Sequence, residues 1–524
     1  MSLDGNVKSL RAAEARVVLD ASRLAGSFSR REDEAGVDLR LDVDRLNLDQ
    51  YRPADGAGTT VQWLTEHPFL VDLHDRLVAD GIVGFRFAAD ELLVDEKRLS
   101  EVAGQGTIDG ERLQLKNLSI AAFAQSAIRV AGHYRYAPPV EGSDEPVLEV
   151  TTSVVTEDVS GLADELVLSL PKFPQSPAAA DLRVRVSGDP SALLKTSFSG
   201  TLGGFDVNVG GALDREGDPV WNGAVRLIHA DAGAVFDAYL TDYDPPGATG
   251  PFDVFARLDG GQGDVTFNEL IGKVGSLVLA GDGQVEWDPK AEQIKPVIEA
   301  TLRTGAIDVM EWLPARRTRT VGIWPSDRLS LNWVNWADLD LRVVGREVIW
   351  DDITLEKPAL TMTSENGVLE VSRFSADGWG GRLGLSGTLG PDEAGYGLDG
   401  RIDVVGVDAE RFLGQTVGAS GIDGALDFGA TVGTRGTSIR DFVGGMDGSA
   451  LISVREGQIE NVDLAEAAQW VAADEEPVDF LNGLRGSLDE GVTPFQALNA
   501  RMTVNQGRLH TDDLRIAAIE TIGT

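Results

Sequence analysis

"LTMTSENGVLEVSRF", residues 360 to 374, alternates apolar and polar residues on both sides of an Asn-Gly pair. Leu360 and Met362 precede the pair, and Leu369 and Val371 follow it. In an extended chain successive side chains point to opposite faces, so a period of two gives each strand one apolar face. Asn-Gly suits a two-residue hairpin loop, whose central residues both need positive φ. The stretch therefore predicts a β-hairpin with an apolar side.

The same pattern recurs along the chain. "ADLRVRVSG" (180 to 188) sets Leu182, Val184 and Val186 against Arg183 and Arg185. "ADLDLRVVG" (337 to 345) sets Leu339, Leu341 and Val343 against Asp340 and Arg342. Gly accounts for 61 of 524 residues, and ten Asp-Gly pairs run from Asp4-Gly5 to Asp447-Gly448, beside Asn222-Gly223, Asn366-Gly367 and Asn482-Gly483. Several of these pairs sit between short alternating apolar runs and there predict further hairpins.

A loose repeat follows. Strand pairs of the form apolar-x-Gly-x-apolar occur as "IRVAGHYRY" (128 to 136), "TSFSGTLGGFDVNVGGALD" (196 to 214), "LVLAGDGQVEWD" (277 to 288) and "LGLSGTLG" (383 to 390). Strands lead into short Asp-containing helical segments at 41–51, 226–240, 302–313 and 401–413. Longer helices are predicted only at 61–81, interrupted by Pro68, and at 462–472, where Asp463 stands as the cap. Helix is too scarce to cover so much sheet, so the fold class is all-β. Its apolar face is either sealed against another sheet, in a sandwich or barrel, or left as a groove for an apolar ligand.

The totals exclude several functions. Asp and Glu number 84 against 46 Lys and Arg, a formal net charge of -38, which repels nucleic-acid phosphates. There are no cysteines, so thiolate catalysis, disulfides and cysteine-ligated zinc are excluded. No run of 18 apolar residues predicts a spanning helix, and the first residues lack an export-signal pattern.

Of the five histidines only His67 and His74 are near neighbours, at a spacing unsuited to an i, i+4 ligand pair. Walker, G-x-S-x-G and H-E-x-x-H motifs are missing, so no catalytic residue, metal or cofactor is expected and the chain is read as a non-enzyme. "DGGQGDVTFNE" (259 to 269) reads as a hairpin turn or a calcium loop. Trp324, Trp333 and Trp336 read as sheet core, a carbohydrate platform or an interface anchor. "PARRTR" (314 to 319) is the one basic patch along the chain.

From about residue 396 the chain resembles the C-terminal region of the AsmA-like family of bacterial envelope proteins. The features fall in order: the Gly-Ser-Ala strand, "REGQIENVDL" (455 to 464), a helix, then "GVTPFQALNARMTVNQGRLHTDDLRI" (491 to 516) with Thr493, Phe495, Asn505, Gly507, Asp513 and Leu514. Within that last stretch two strands flank an Asn-Gln-Gly turn. Upstream units resemble the family's repeats, which divides the chain into β repeats at 1–395 and an incomplete C-terminal region at 396–524.

The resemblance implies an elongated, curved, U-sectioned antiparallel sheet of repeated strand units with a few short helices. It implies a bridge-like lipid-transfer or envelope-homeostasis protein of the periplasm, holding phospholipid acyl chains in an apolar β-groove. It also implies anchorage to the inner membrane through a segment absent from this chain, which is then an internal or C-terminal piece, and a possible envelope protein partner. The groove-lining candidates are Leu182, Val184, Val186, Phe205, Val207, Leu339, Leu341, Val343, Leu383, Leu385, Leu426 and Phe428. The alternative is a scaffold that assists outer-membrane protein assembly through a sealed sheet and its edges.

Overall fold

The computed structural model describes residues 2–6, 9–19, 22–31, 36–51, 81–136, 146–166, 172–239, 245–291, 295–312, 337–393, 395–464 and 491–518, with isolated residues at 168, 170, 326, 328, 335, 466, 467, 469 and 486. The histidines 67 and 74, the tryptophans 324, 333 and 336, the basic stretch 314–319, the expected helix at 61–81 (save Gly81) and residues 465, 468 and 470–472 of the one at 462–472 lie outside these residues. The rest is an all-β protein with a few short helices.

Two compact units share the chain. One comprises residues 1–242 and 251–262, the other 243–250 and 263–524. In each unit the strands join their neighbours in chain order, and the sheet is open and curled.

The hairpin at 360–374 forms as the pattern predicts. Strands Ile353–Glu365 and Val368–Gly378 pair antiparallel, with Met362 opposite Val371 and Ser364 opposite Leu369. The loop holds Asn366 at φ 52° and Gly367 at φ 80°, which a two-residue loop of this hand requires. The Asn-Gln-Gly turn forms likewise, Asn505 facing Arg508.

Most Asp-Gly pairs do something else. Asp282-Gly283, Asp399-Gly400, Asp423-Gly424 and Asp447-Gly448 all sit inside strands. Alternation puts the Asp on one face and the Gly on the other. Gly283 sits under the Phe267 ring, so that a Cβ there would be 2.5 Å from Cζ. Several actual turns lack glycine altogether: Asp95-Glu96 and Ala124-Gln125 adopt positive φ between paired strands.

The sheets are not wholly antiparallel. Gly36–Asn47 pairs parallel with Ile82–Val94, and Val297–Asp308 pairs parallel with Asp338–Trp350. Each junction needs a long crossover, and residues 48–81 and 309–337 provide it.

These junctions open two copies of one module. A strand, a helical turn, a crossover, a parallel strand, four antiparallel strands and a helix follow in that order at 36–166 and again at 297–417. The irregularities match as well. Positive φ occurs at Asp95 and Asp351, and at the bulge residues Glu101 and Lys357, each pair 256 residues apart. The sequence repeat read at the connectors is a part of this longer period.

All four connectors carry the expected turn or helix: Leu48–Tyr51, Ala232–Tyr239, Val309–Trp312 and Ala409–Val417. The last has Asp408 accepting a hydrogen bond from the Arg411 N–H at 2.9 Å, and it ends on Gly418 at φ 70°.

Candidate functional site

Register turns the period-two pattern into rows. In the first unit Leu41, Phe87, Gly104, Leu118, Val130, Thr152, Val184, Phe198, Val209, Val225 and Ala256 face one another across eleven consecutive strands. Thr152 is the one polar member. At about 4.8 Å per strand the row runs about 48 Å, more than the hydrocarbon core of a bilayer.

In the second unit Leu302, Val343, Leu360, Phe374, Leu385, Ile402, Ala430, Ala450 and Met502 do the same across nine strands. In each unit most row members are half-buried, and Leu41 and Leu385 are exposed at 39% and 41%. A sealed inter-sheet core would bury them. These rows form a continuous apolar surface in each unit.

Helices seal one margin of this face. In the first unit Gly36–Asn47, Leu148–Thr156 and Val220–His229 run in the same direction, because an even number of antiparallel steps separates them beyond the parallel junction. The helical segments that follow them therefore collect along one edge. Val159, opening the helix Val159–Leu166, packs with Ala178, Ala180 and Leu182. Val235 in Ala232–Tyr239 packs on Phe205 and Val207.

In the second unit Ala409 and Phe412 cap a cluster containing Val404, Val407, Leu426, Val454 and Phe495. Phe412 meets Trp379 edge-on at 5.0 Å, and the Trp379 indole N–H donates to Gln415 Oε1 at 2.6 Å.

All twelve candidate residues lie on the apolar faces, in two groups. Leu182, Phe205, Val207 and Leu426 are buried at the helix-covered margin. Val184, Val186, Leu339, Leu341, Val343, Leu383 and Phe428 are half-buried, and Leu385 is exposed. Phe87, Phe198, Leu360 and Phe374, which continue the same rows, were not among the groove-lining candidates. Their alternation was legible, but their partners only became clear with the register.

The opposite face is polar and laced with ion pairs. Arg226 meets Asp253 at 2.8 Å, Arg401 meets Asp403 at 2.7 Å and Arg455 meets Asp427 at 2.7 Å. The guanidinium hydrogen bonds hold the Asp253 and Asp403 carboxyls below the usual carboxylate range. Two depressions, of about 350 and 540 Å³, open on this polar face of the first unit. Among the described residues the apolar rows form an open surface, not an enclosed cavity.

Among the described residues no group of three or more His, Asp or Glu is placed to hold a metal ion. No helix there is long and apolar enough to cross a membrane. His133 Nε2 lies 3.2 Å from the Pro146 carbonyl oxygen and His229 Nδ1 lies 2.6 Å from that of Asp231, so both rings serve local structure.

The model of the AsmA family matches residues 318–514. No curated protein and no solved structure matches the chain.

Proposed function

We propose that this AsmA-like protein, matched to its family over residues 318–514, holds phospholipid acyl chains on the apolar face of its sheet and passes them along the rows. The observation that carries this reading is the unbroken apolar row in each unit, half-buried in a sheet that no second sheet seals among the described residues. Exposing about 30 methylenes to water costs on the order of 20 kcal/mol, at about 0.8 kcal/mol each. A continuous apolar row keeps the chains in contact with hydrocarbon at every step, so a lipid moves without crossing that barrier. The chemistry needs no nucleophile, metal or cofactor.

Open β-structure and AsmA likeness fit an envelope-related protein. The proposed setting is the periplasm, with the inner membrane as the lipid's source or destination. Charged polar faces and turns keep so much sheet from associating edge to edge.

The test is mass spectrometry of lipid extracts from protein purified without detergent, with Val184→Asp and Leu341→Asp beside the parent. Both positions are half-buried in apolar rows. Stoichiometric phospholipid in the parent, lost in folded variants, is the expected result. A lipid-free, well-folded parent would overturn the reading and favour a scaffold that binds protein through its sheet edges.

A further inference from the structure

We propose a second site, on the polar face of the first unit, that binds a phosphate-type anion between Arg129 and Arg183 over Ser153. It lies on the face opposite the apolar rows, so neither proposal depends on the other.

The register assembles it from residues far apart in sequence. Arg129 faces Ser153, Ser153 faces Arg183, and Arg183 faces Ser199, on four neighbouring strands. One step along, Thr151 faces Arg185. The depression of about 540 Å³ over these strands is lined by the three arginines with hydroxyl and amide side chains, and no carboxylate lines it. Arg185 is tied to Glu149. Arg129 and Arg183 have no carboxylate partner among the described residues, whereas Arg226, Arg401 and Arg455 on other strands are all paired.

The internal repeat provides a control. In the second copy of the module and the strand after it, Gly384, Asp403 and Gly429 occupy the register of Arg129, Ser153 and Arg183. Asp403 there is satisfied by Arg401. The first copy has a hydroxyl where the second has the carboxylate, and a guanidinium on each side of it.

Two guanidiniums on strands about 9.6 Å apart leave room for an anion between them. Their planar forks and the hydroxyls of Ser153, Thr151 and Ser199 donate from several directions, which suits a tetrahedral oxyanion better than a planar carboxylate. The net charge of -38 does not forbid this. At physiological ionic strength charges beyond about 8 Å are largely screened, so the nearby arginines set the local field.

A free phosphate ester and a lipid headgroup share this chemistry, and the experiment has an arm for each. The full chain is titrated calorimetrically with inorganic phosphate and floated with phosphatidylcholine vesicles with or without phosphatidylglycerol. Binding of phosphate, weakened about tenfold or more by Arg129→Ser with Arg183→Ser and unchanged by Arg455→Ser, is the expected result. Flotation with the anionic vesicles, lost in the same double variant, assigns a headgroup, and phosphate binding alone assigns a soluble ester. Ser153→Asp, which copies the second module, should abolish binding independently. Neither phosphate heat nor anionic-vesicle association, or association that survives both variants, would overturn the proposal.

Discussion

The ring of Phe87 lies across Gly104 on the neighbouring strand, and the two are direct register partners. A Cβ on Gly104 would be 2.7 Å from Phe87 Cζ. The next pair does the same, Phe85 over Gly106. Glycine lets an aromatic ring lie flat on the sheet, which smooths the apolar face.

Gly104→Ala should therefore cost about 1–3 kcal/mol, because the ring must leave its place. Gly210, on the polar face with nothing within 4 Å of a Cβ, is the contrast. Gly210→Ala should be neutral or stabilise by up to about 1 kcal/mol, since it restricts the unfolded chain. Urea unfolding of both variants checks the pair, and equal losses would show that ring-over-glycine packing is unimportant.

Leu426 and Leu385 lie on the same apolar face with opposite prospects. Leu426 is fully buried beneath the helix-capped margin, so Leu426→Ala should cost about 2–5 kcal/mol. Leu385 is 41% exposed in an open row, and Leu385→Ala should cost under about 1 kcal/mol. Thermal unfolding measures both. If the rows carry lipid, only Leu385→Ala should lower bound phospholipid without lowering stability.

Acid should weaken the fold through carboxylates such as Asp338, which accepts from Lys295 Nζ at 2.5 Å and from the Asn366 N–H at 3.2 Å. The Lys295 hydrogen bond is the main cause of its lowered pKa. The carboxyl is more acidic folded than unfolded, so its stabilisation is complete above the unfolded value near 4 and lost as pH falls through the folded value. The pair is partly exposed and solvent screens it, which keeps the effect within about 1 kcal/mol. A melting-temperature series between pH 6 and pH 3 should fall less steeply for Asp338→Asn than for the parent.

How much of this was legible depended on the range of each interaction. Alternation at Leu182, Val184 and Val186 identified an apolar face because strand periodicity is local. The Asn366-Gly367 turn was legible for the same reason, through its two backbone angles. Asp-Gly was a weaker guide to turns, since Asp399-Gly400 and Asp447-Gly448 lie within strands. Phe205 and Leu426 were grouped with Val184 and Leu385, since nothing in a strand's own pattern says whether a helix will cover it.

The sequence by itself determined an all-β chain with one-sided strands and short helices after certain strands. Those features follow from backbone geometry and composition, which act over a few residues. Only the tertiary structure decided the register that lines apolar residues into rows, the module repeated after about 256 residues, and the meeting of Arg129, Ser153 and Arg183. Strand pairing brings together residues 24 and 30 positions apart, and no short-range pattern encodes which of many similar strands will be the neighbour.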